Sequence, residues 1–144
     1  MELIDRNRDS NNHAALTIPQ LTDALRPVWD AYTDKAVFAY VFGSVVTQKI
    51  TPLSDIDLAF YMRPEFSGLS VKNALTADCM RVLQRNDLDI VMLNSLKNLV
   101  LAYSIIRGGM VLFDNDSIKR EEYELSVSHR AMGFLTQRKA VMGV

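Results

Sequence analysis

Asp55-Ile56-Asp57-Leu58-Ala59-Phe60-Tyr61-Met62 is an apolar stretch that opens on two carboxylates, and its reading decides the fold. Side chains alternate along a strand, so Ile56, Leu58, Phe60 and Met62 form a core face while Asp55, Asp57 and Ala59 turn the other way. Aspartate is a poor strand former, and two like charges on one face repel unless something positive lies between them. A divalent cation resolves this, because Mg²⁺ takes oxygen ligands and is held by one or two carboxylates plus substrate phosphates. Aspartates in a solvated turn before a strand need no metal, so the pair alone leaves both readings open.

The neighbouring segments narrow the choice. Ala36-Val37-Phe38-Ala39-Tyr40-Val41-Phe42 is apolar without alternation, short, and rich in aromatic and β-branched residues. It reads as a central strand buried on both faces. Gly43-Ser44 ends it; glycine lets a backbone approach a phosphate, and successive N–H groups in a tight turn form an anion nest. Downstream, Leu88–Leu93 reads as a third strand, with Asp89 opposite the face of Leu88, Ile90 and Met92. If that strand pairs with the second, Asp89 joins Asp55 and Asp57 in a cradle for two metal ions and a nucleoside triphosphate. Asp87 shares the face of Asp89 but lies at the strand's edge, where a solvated loop residue is the simpler reading.

Helices fill the intervals. Thr17-Ile18-Pro19-Gln20 has the form of a capping box with proline in the first turn. Leu21, Ala24, Leu25, Val28 and Tyr32 follow at helical spacing, and Pro27 is expected to kink or shorten that helix. Val71, Leu75, Cys79, Val82 and Leu83 share one face of a helix running to about Arg85. Asn94 or Ser95 is expected to cap another, with Leu96, Leu99, Val100 and Tyr103 inward and Gly108-Gly109 at its end. Met110–Phe113 reads as a short strand and Asp114-Asn115-Asp116 as a turn. The last helix starts at Ser117 or Ile118, its Glu121, Glu122 and Glu124 near one end and Arg138 and Lys139 near the other, as the helix dipole favours. This alternation predicts an α/β (α+β) fold, a mixed sheet flanked by helices.

Composition sets the outer bounds. The 144 residues carry 16 Lys+Arg and 17 Asp+Glu, for a formal charge of −1. The length predicts one domain, residues 17–144, behind a loose polar leader at residues 1–16. Near-neutral charge disfavours a protein held to nucleic acid or anionic lipid by a basic surface. The single cysteine, Cys79, cannot form an internal disulfide, which fits a reducing cytoplasm. Neither a signal peptide nor a membrane span is read in the sequence. His13 and His129 are too far apart in the chain for a metal site or a triad. On the terminal helix, Val127, Met132, Phe134, Leu135 and Val141 are expected either to close the domain's own core or to form an exposed face for a partner.

Gly43-Ser44, ten residues, then Asp55-x-Asp57 preceded by Ser54, resembles the signature of the nucleotidyltransferase superfamily that includes DNA polymerase β. Its smallest branch, the minimal nucleotidyltransferases (MNT), is similar over about residues 18–125. Leu88-Asp89-Ile90-Val91-Met92-Leu93-Asn94 is similar to the third-carboxylate strand, and Ile105–Phe113 to the segment after it. The resemblance implies that Asp55, Asp57 and Asp89 are the catalytic residues and bind two Mg²⁺ ions. It also implies that Gly43 and Ser44 hold the triphosphate of ATP. Asp89 would further help to activate an attacking hydroxyl, and AMP would be transferred with release of pyrophosphate. Such proteins are often antitoxins of all-helical HEPN-domain toxins, some of which they modify on tyrosine. The implied function is transfer of AMP to a HEPN-type toxin within a hetero-oligomer, without direct nucleic-acid binding. Two alternatives stand beside it: an antitoxin that neutralises by binding alone, and a small-molecule nucleotidyltransferase, which the short chain disfavours. The family commonly carries an arginine and a second glycine soon after Gly-Ser, whereas this chain reads Val45-Val46-Thr47-Gln48-Lys49. Lys49 offers a point charge but not a bidentate donor.

Overall fold

A computed structural model describes residues 16–43 and 55–142 of the protein. Helix α1 spans Ile18–Ala31, strand β1 Ala36–Phe42, β2 Ile56–Met62, helix α2 Leu69–Leu83 and β3 Leu88–Met92. Helix α3 then spans Leu99–Gly108, β4 Met110–Asp114 and α4 Ser117–Met142, with single 3₁₀ turns at Pro64–Phe66 and Leu93–Ser95. The four strands form one mixed sheet in the order β3-β2-β1-β4. β1 runs antiparallel to both β2 and β4, and β2 runs parallel to β3.

The apolar run at Ala36–Phe42 becomes a central strand because both of its faces are covered. Ala36, Ala39 and Val41 join one core with Leu21, Leu25 and Trp29 of α1 and Leu75 and Cys79 of α2. Phe38 and Tyr40 join a second core on the opposite face, with Ile105 of α3 and Tyr123 of α4 packed into it. β2 obeys the predicted alternation: Ile56, Leu58, Phe60 and Met62 are buried in the first core. Trp29 stacks on Phe113 with ring centroids 4.6 Å apart, tying α1 to β4. Burial pushes the Cys79 thiol up to about 12, which leaves it a small apolar filler.

The capping box forms as expected. The Gln20 amide donates to Thr17 Oγ1 at 3.3 Å, and the Thr17 amide donates to Gln20 Oε1 at 2.8 Å. Pro27 does not shorten α1, which continues for another turn to Ala31. The cap of α3 differs from expectation. Asn98 caps it, accepting from the Leu101 amide at 3.0 Å. Asn94 is used elsewhere: its side chain accepts from the Met62 amide at 2.8 Å and donates to the Met62 carbonyl at 2.7 Å, clamping the end of β2. Starting the helix later rotates its inward face, so Ala102 and Ile105 are buried while Val100 is exposed. The terminal helix divides the two expectations for it. Val127 is buried, Met132 and Phe134 are exposed, and the side chains of Leu135 and Val141 lie outside the described residues. Arg120 bridges Asp114 at 2.7 Å and Glu124 at 3.0 Å, and the Tyr40 hydroxyl donates to Glu124, which anchors α4 to the sheet.

One hydrogen bond from the residue that ends α1 to α2 carries a pH signature. The Tyr32 hydroxyl donates to Asp78 Oδ2 at 2.8 Å, and this bond holds the Asp78 carboxyl below its ordinary range. A carboxylate depressed in the folded state stabilises above its unfolded pKa, and that contribution disappears as pH falls through the folded pKa. Tyr32→Phe is therefore expected to cost about 1 kcal/mol near neutral pH. Urea midpoints measured from pH 7 downward should show this difference closing once Asp78 protonates in the wild type.

Candidate functional site

The sheet assembles the site at one end of its three adjacent strands. β1 finishes at Phe42, which lies opposite Asp57 of β2 in the antiparallel register. On the other side of β2, Asp57 lies opposite Asp89 of β3 in the parallel register. Residues in register on neighbouring strands point to the same face, with backbones about 4.8 Å apart, so the two carboxylates stand side by side. Asp55 lies just before β2 and is exposed. It is close enough to act on Asp57 electrostatically. The three carboxylates singled out in the sequence thus occupy one corner of the sheet.

Asp57 is half-buried, and burial is the largest influence on it; the charges of Asp89 and then Asp55 add to it. All three disfavour the ionised form and hold the carboxyl above its ordinary range. Opposite it, Gly43 turns the chain with φ +82°, in the left-handed region. A Cβ placed on Gly43 would come within 2.5 Å of Asp57 Oδ2. Glycine is required here twice over, by the backbone conformation and by the carboxylate against it. Ser44, Lys49 and Ser54 lie outside the described residues, as do the leader and His13.

Among the described residues no ion pair neutralises Asp55, Asp57 or Asp89, and hard oxygen donors suit Mg²⁺, which keeps part of its water shell and needs few protein ligands. Among the described residues, no three His, Cys, Asp or Glu side chains are drawn into a closed metal cage. The fit therefore rests on the in-register Asp57–Asp89 pair with Asp55 at its margin. Asp87, set aside in the sequence, has a structural role. It pairs with the buried Arg85, whose Nε donates to Asp87 Oδ1 at 2.8 Å, and its carbonyl accepts from the Ile56 amide at 3.0 Å. His129 is exposed on α4, far from the carboxylates along the chain. Sequence reasoning overlooked Lys72, which lines an open cavity of about 450 Å³ together with Asp89. Nothing in its local sequence marks it; the packing of α2 beside β3 brings it there.

Comparison with known proteins gives a consistent outcome. The family described as polymerase beta, nucleotidyltransferase matches residues 27–118. No curated protein matches the chain in sequence. Among solved structures, a tri-AMPylated Shewanella oneidensis HEPN toxin in complex with MNT antitoxin is similar, with TM-score 0.67 and 19% identity. That match covers 88% of this chain and 97% of the other. A toxin–antitoxin complex with AMP-PNP gives TM-score 0.68 and 21% identity, covering 85% of this chain and 95% of the other. At these identities the likeness is one of fold. Among the described residues no helix is long and apolar enough to cross a membrane.

Proposed function

Since the chain belongs to the polymerase beta nucleotidyltransferase family, we propose that it transfers AMP from ATP to a hydroxyl on a partner protein. The partner would be a HEPN-type toxin, and the chain its antitoxin. The observation that carries the reading is the register that sets Asp57 beside Asp89, with Gly43 against the Asp57 carboxylate. An arrangement that raises the cost of its own negative charge is suited to a divalent cation, which can in turn carry the phosphates of a nucleotide. The similarity to a complex containing an AMPylated toxin and to one containing an ATP analogue supports the choice of nucleotide and partner.

Asp55 and Asp57 would hold Mg²⁺, with Asp89 completing the set. Bound there, Mg²⁺ would neutralise charge on the phosphates and on the departing pyrophosphate. Gly43 and Ser44 would present backbone N–H groups and a hydroxyl to the triphosphate. Asp89, exposed at the outer strand, would accept the proton of the incoming hydroxyl. The hydroxyl oxygen bonds to the α-phosphorus in line with the departing oxygen. The bond from that phosphorus to the bridging oxygen breaks, and pyrophosphate leaves.

Incubation of the chain with a HEPN-type protein, ATP and Mg²⁺ is expected to add one or more AMP groups to that protein, read by intact-protein mass spectrometry. EDTA should abolish the adduct. A stable complex that suppresses the partner's activity with no adduct would overturn the enzymatic reading in favour of neutralisation by binding alone.

A further inference from the structure

The outer edge of β3 forms one wall of the cavity that contains Asp89. β3 is the last strand of the sheet, and no described strand pairs with its far side. The bond from the Ile56 amide to the Asp87 carbonyl sets the phase of the parallel ladder. In that phase Asp89 and Val91 turn their backbone groups to β2, whereas Leu88, Ile90 and Met92 turn theirs outward. The cavity follows this edge: Ile90 and Met92 line it although their side chains are buried in the core. It is also lined by Ser67, which follows the 3₁₀ turn, and by Leu69 and Lys72 from the first turn of α2. Leu69 is 70% exposed at the rim. Lys72 is half-buried and has no carboxylate in salt-bridge range among the described residues.

A row of outward backbone donors and acceptors, an apolar anchor and an unneutralised cation, ending at a carboxylate, together describe a seat for an extended peptide. We infer that the acceptor is an acidic, extended polypeptide segment that adds to the free edge of β3, with Leu69 and Lys72 selecting it and its hydroxyl placed at Asp89. This rests on the transferase reading of the carboxylate corner and names the acceptor that the corner takes. From Asp89 to Met92 the edge spans about 10 Å, enough to fix three residues of the segment by backbone pairing. An acidic residue of the segment meets Lys72, so charge complementarity sets the choice of acceptor. The step is the one written above: the segment's hydroxyl oxygen bonds to the α-phosphorus, its proton passes to Asp89, and pyrophosphate departs.

A random Glu/Tyr copolymer and a Lys/Tyr copolymer, each incubated with the chain, Mg²⁺ and ATP labelled at the α-phosphate, test this. The wild type is expected to label the Glu/Tyr copolymer at least about tenfold more efficiently. Lys72→Glu should reverse that preference, and Leu69→Asp should raise the KM for the Glu/Tyr copolymer about tenfold. Amide exchange provides a readout independent of catalysis: the Ile90 and Met92 amides should gain protection when the Glu/Tyr copolymer is added. Labelling of a HEPN-type partner protein by the wild type is measured in parallel. Labelling of that partner without labelling of either copolymer, or a preference unchanged by Lys72→Glu, overturns the edge groove alone. No labelling of the partner or of either copolymer overturns the transferase reading, and the groove with it.

Discussion

Asp57→Asn is expected to lower nucleotidyl transfer at least about a thousandfold, roughly 4 kcal/mol of transition-state stabilisation, while raising the thermal midpoint of the folded chain. The two effects have one cause. Asp57 is held half-buried beside Asp89 and near Asp55, where its ionised form is disfavoured by burial and by both neighbours. The amide keeps the shape and removes the charge, so the fold loses a repulsion and the proposed Mg²⁺ site loses a ligand. The pH dependence has a definite sign. A carboxyl raised in the folded state favours folding at low pH, and that contribution is lost as pH rises through its folded value. The gap in thermal midpoint between Asp57→Asn and wild type should therefore widen as pH rises from the carboxylate range toward neutrality. On the proposed reading Mg²⁺ binds the folded state at this corner, so it should raise the midpoint of the wild type and move the variant much less. Transfer at wild-type rate in Asp57→Asn, or a variant less stable than wild type at neutral pH, would contradict this account. Calorimetry with and without Mg²⁺, alongside a transfer assay, reads all of these quantities.

Gly43→Ala is expected to cost both stability and activity, for separable reasons. The left-handed conformation at φ +82° costs a residue with a Cβ about 1–2 kcal/mol. For a chain of 144 residues, that corresponds to a fall of about 3–8 °C in thermal midpoint. The added methyl also arrives 2.5 Å from Asp57 Oδ2, so the carboxylate must turn away or the backbone must shift. Transfer should fall about a hundredfold, since a displacement of that size moves Asp57 out of the position that the proposed reaction needs. Gly43→Asn separates the two effects. Asparagine tolerates the left-handed region better than alanine but brings the same Cβ, so stability should partly return while transfer stays low. Full activity in either variant would mean that the turn does not govern the position of Asp57.

Much of the site was legible because its signals are local. Ala36–Phe42 reads as a central strand because seven apolar residues without alternation leave no face for water. Asp57 and Asp89 stand out because each interrupts an apolar strand at a place where carboxylates are costly. Gly43 was legible as a turn, but its contact with the Asp57 carboxylate was not, since that depends on where β1 ends relative to β2. The cap of α3 was misplaced because Asn94 and Asn98 are equally suited to the role in sequence. Asn94 is diverted by the amide and carbonyl of Met62, 32 residues earlier in the chain. Of the two effects expected of Pro27, a kink or a shortened helix, shortening does not occur, because Val28 and Trp29 beyond it are buried against the sheet. Tertiary packing outweighs a local propensity of a few kcal/mol.

The sequence by itself determined the strands, the faces they bury and the three carboxylates, because side-chain period and hydrophobicity act over a few residues. Only the tertiary structure decided that Asp57 faces Asp89 in register and that Gly43 closes on Asp57. It alone placed Lys72 and Leu69 along the open edge of β3. Those are consequences of strand order and register, set when the described strands and helices bury one another's apolar faces together. A one-residue slip in any pairing would have carried a carboxylate to the opposite face of the sheet.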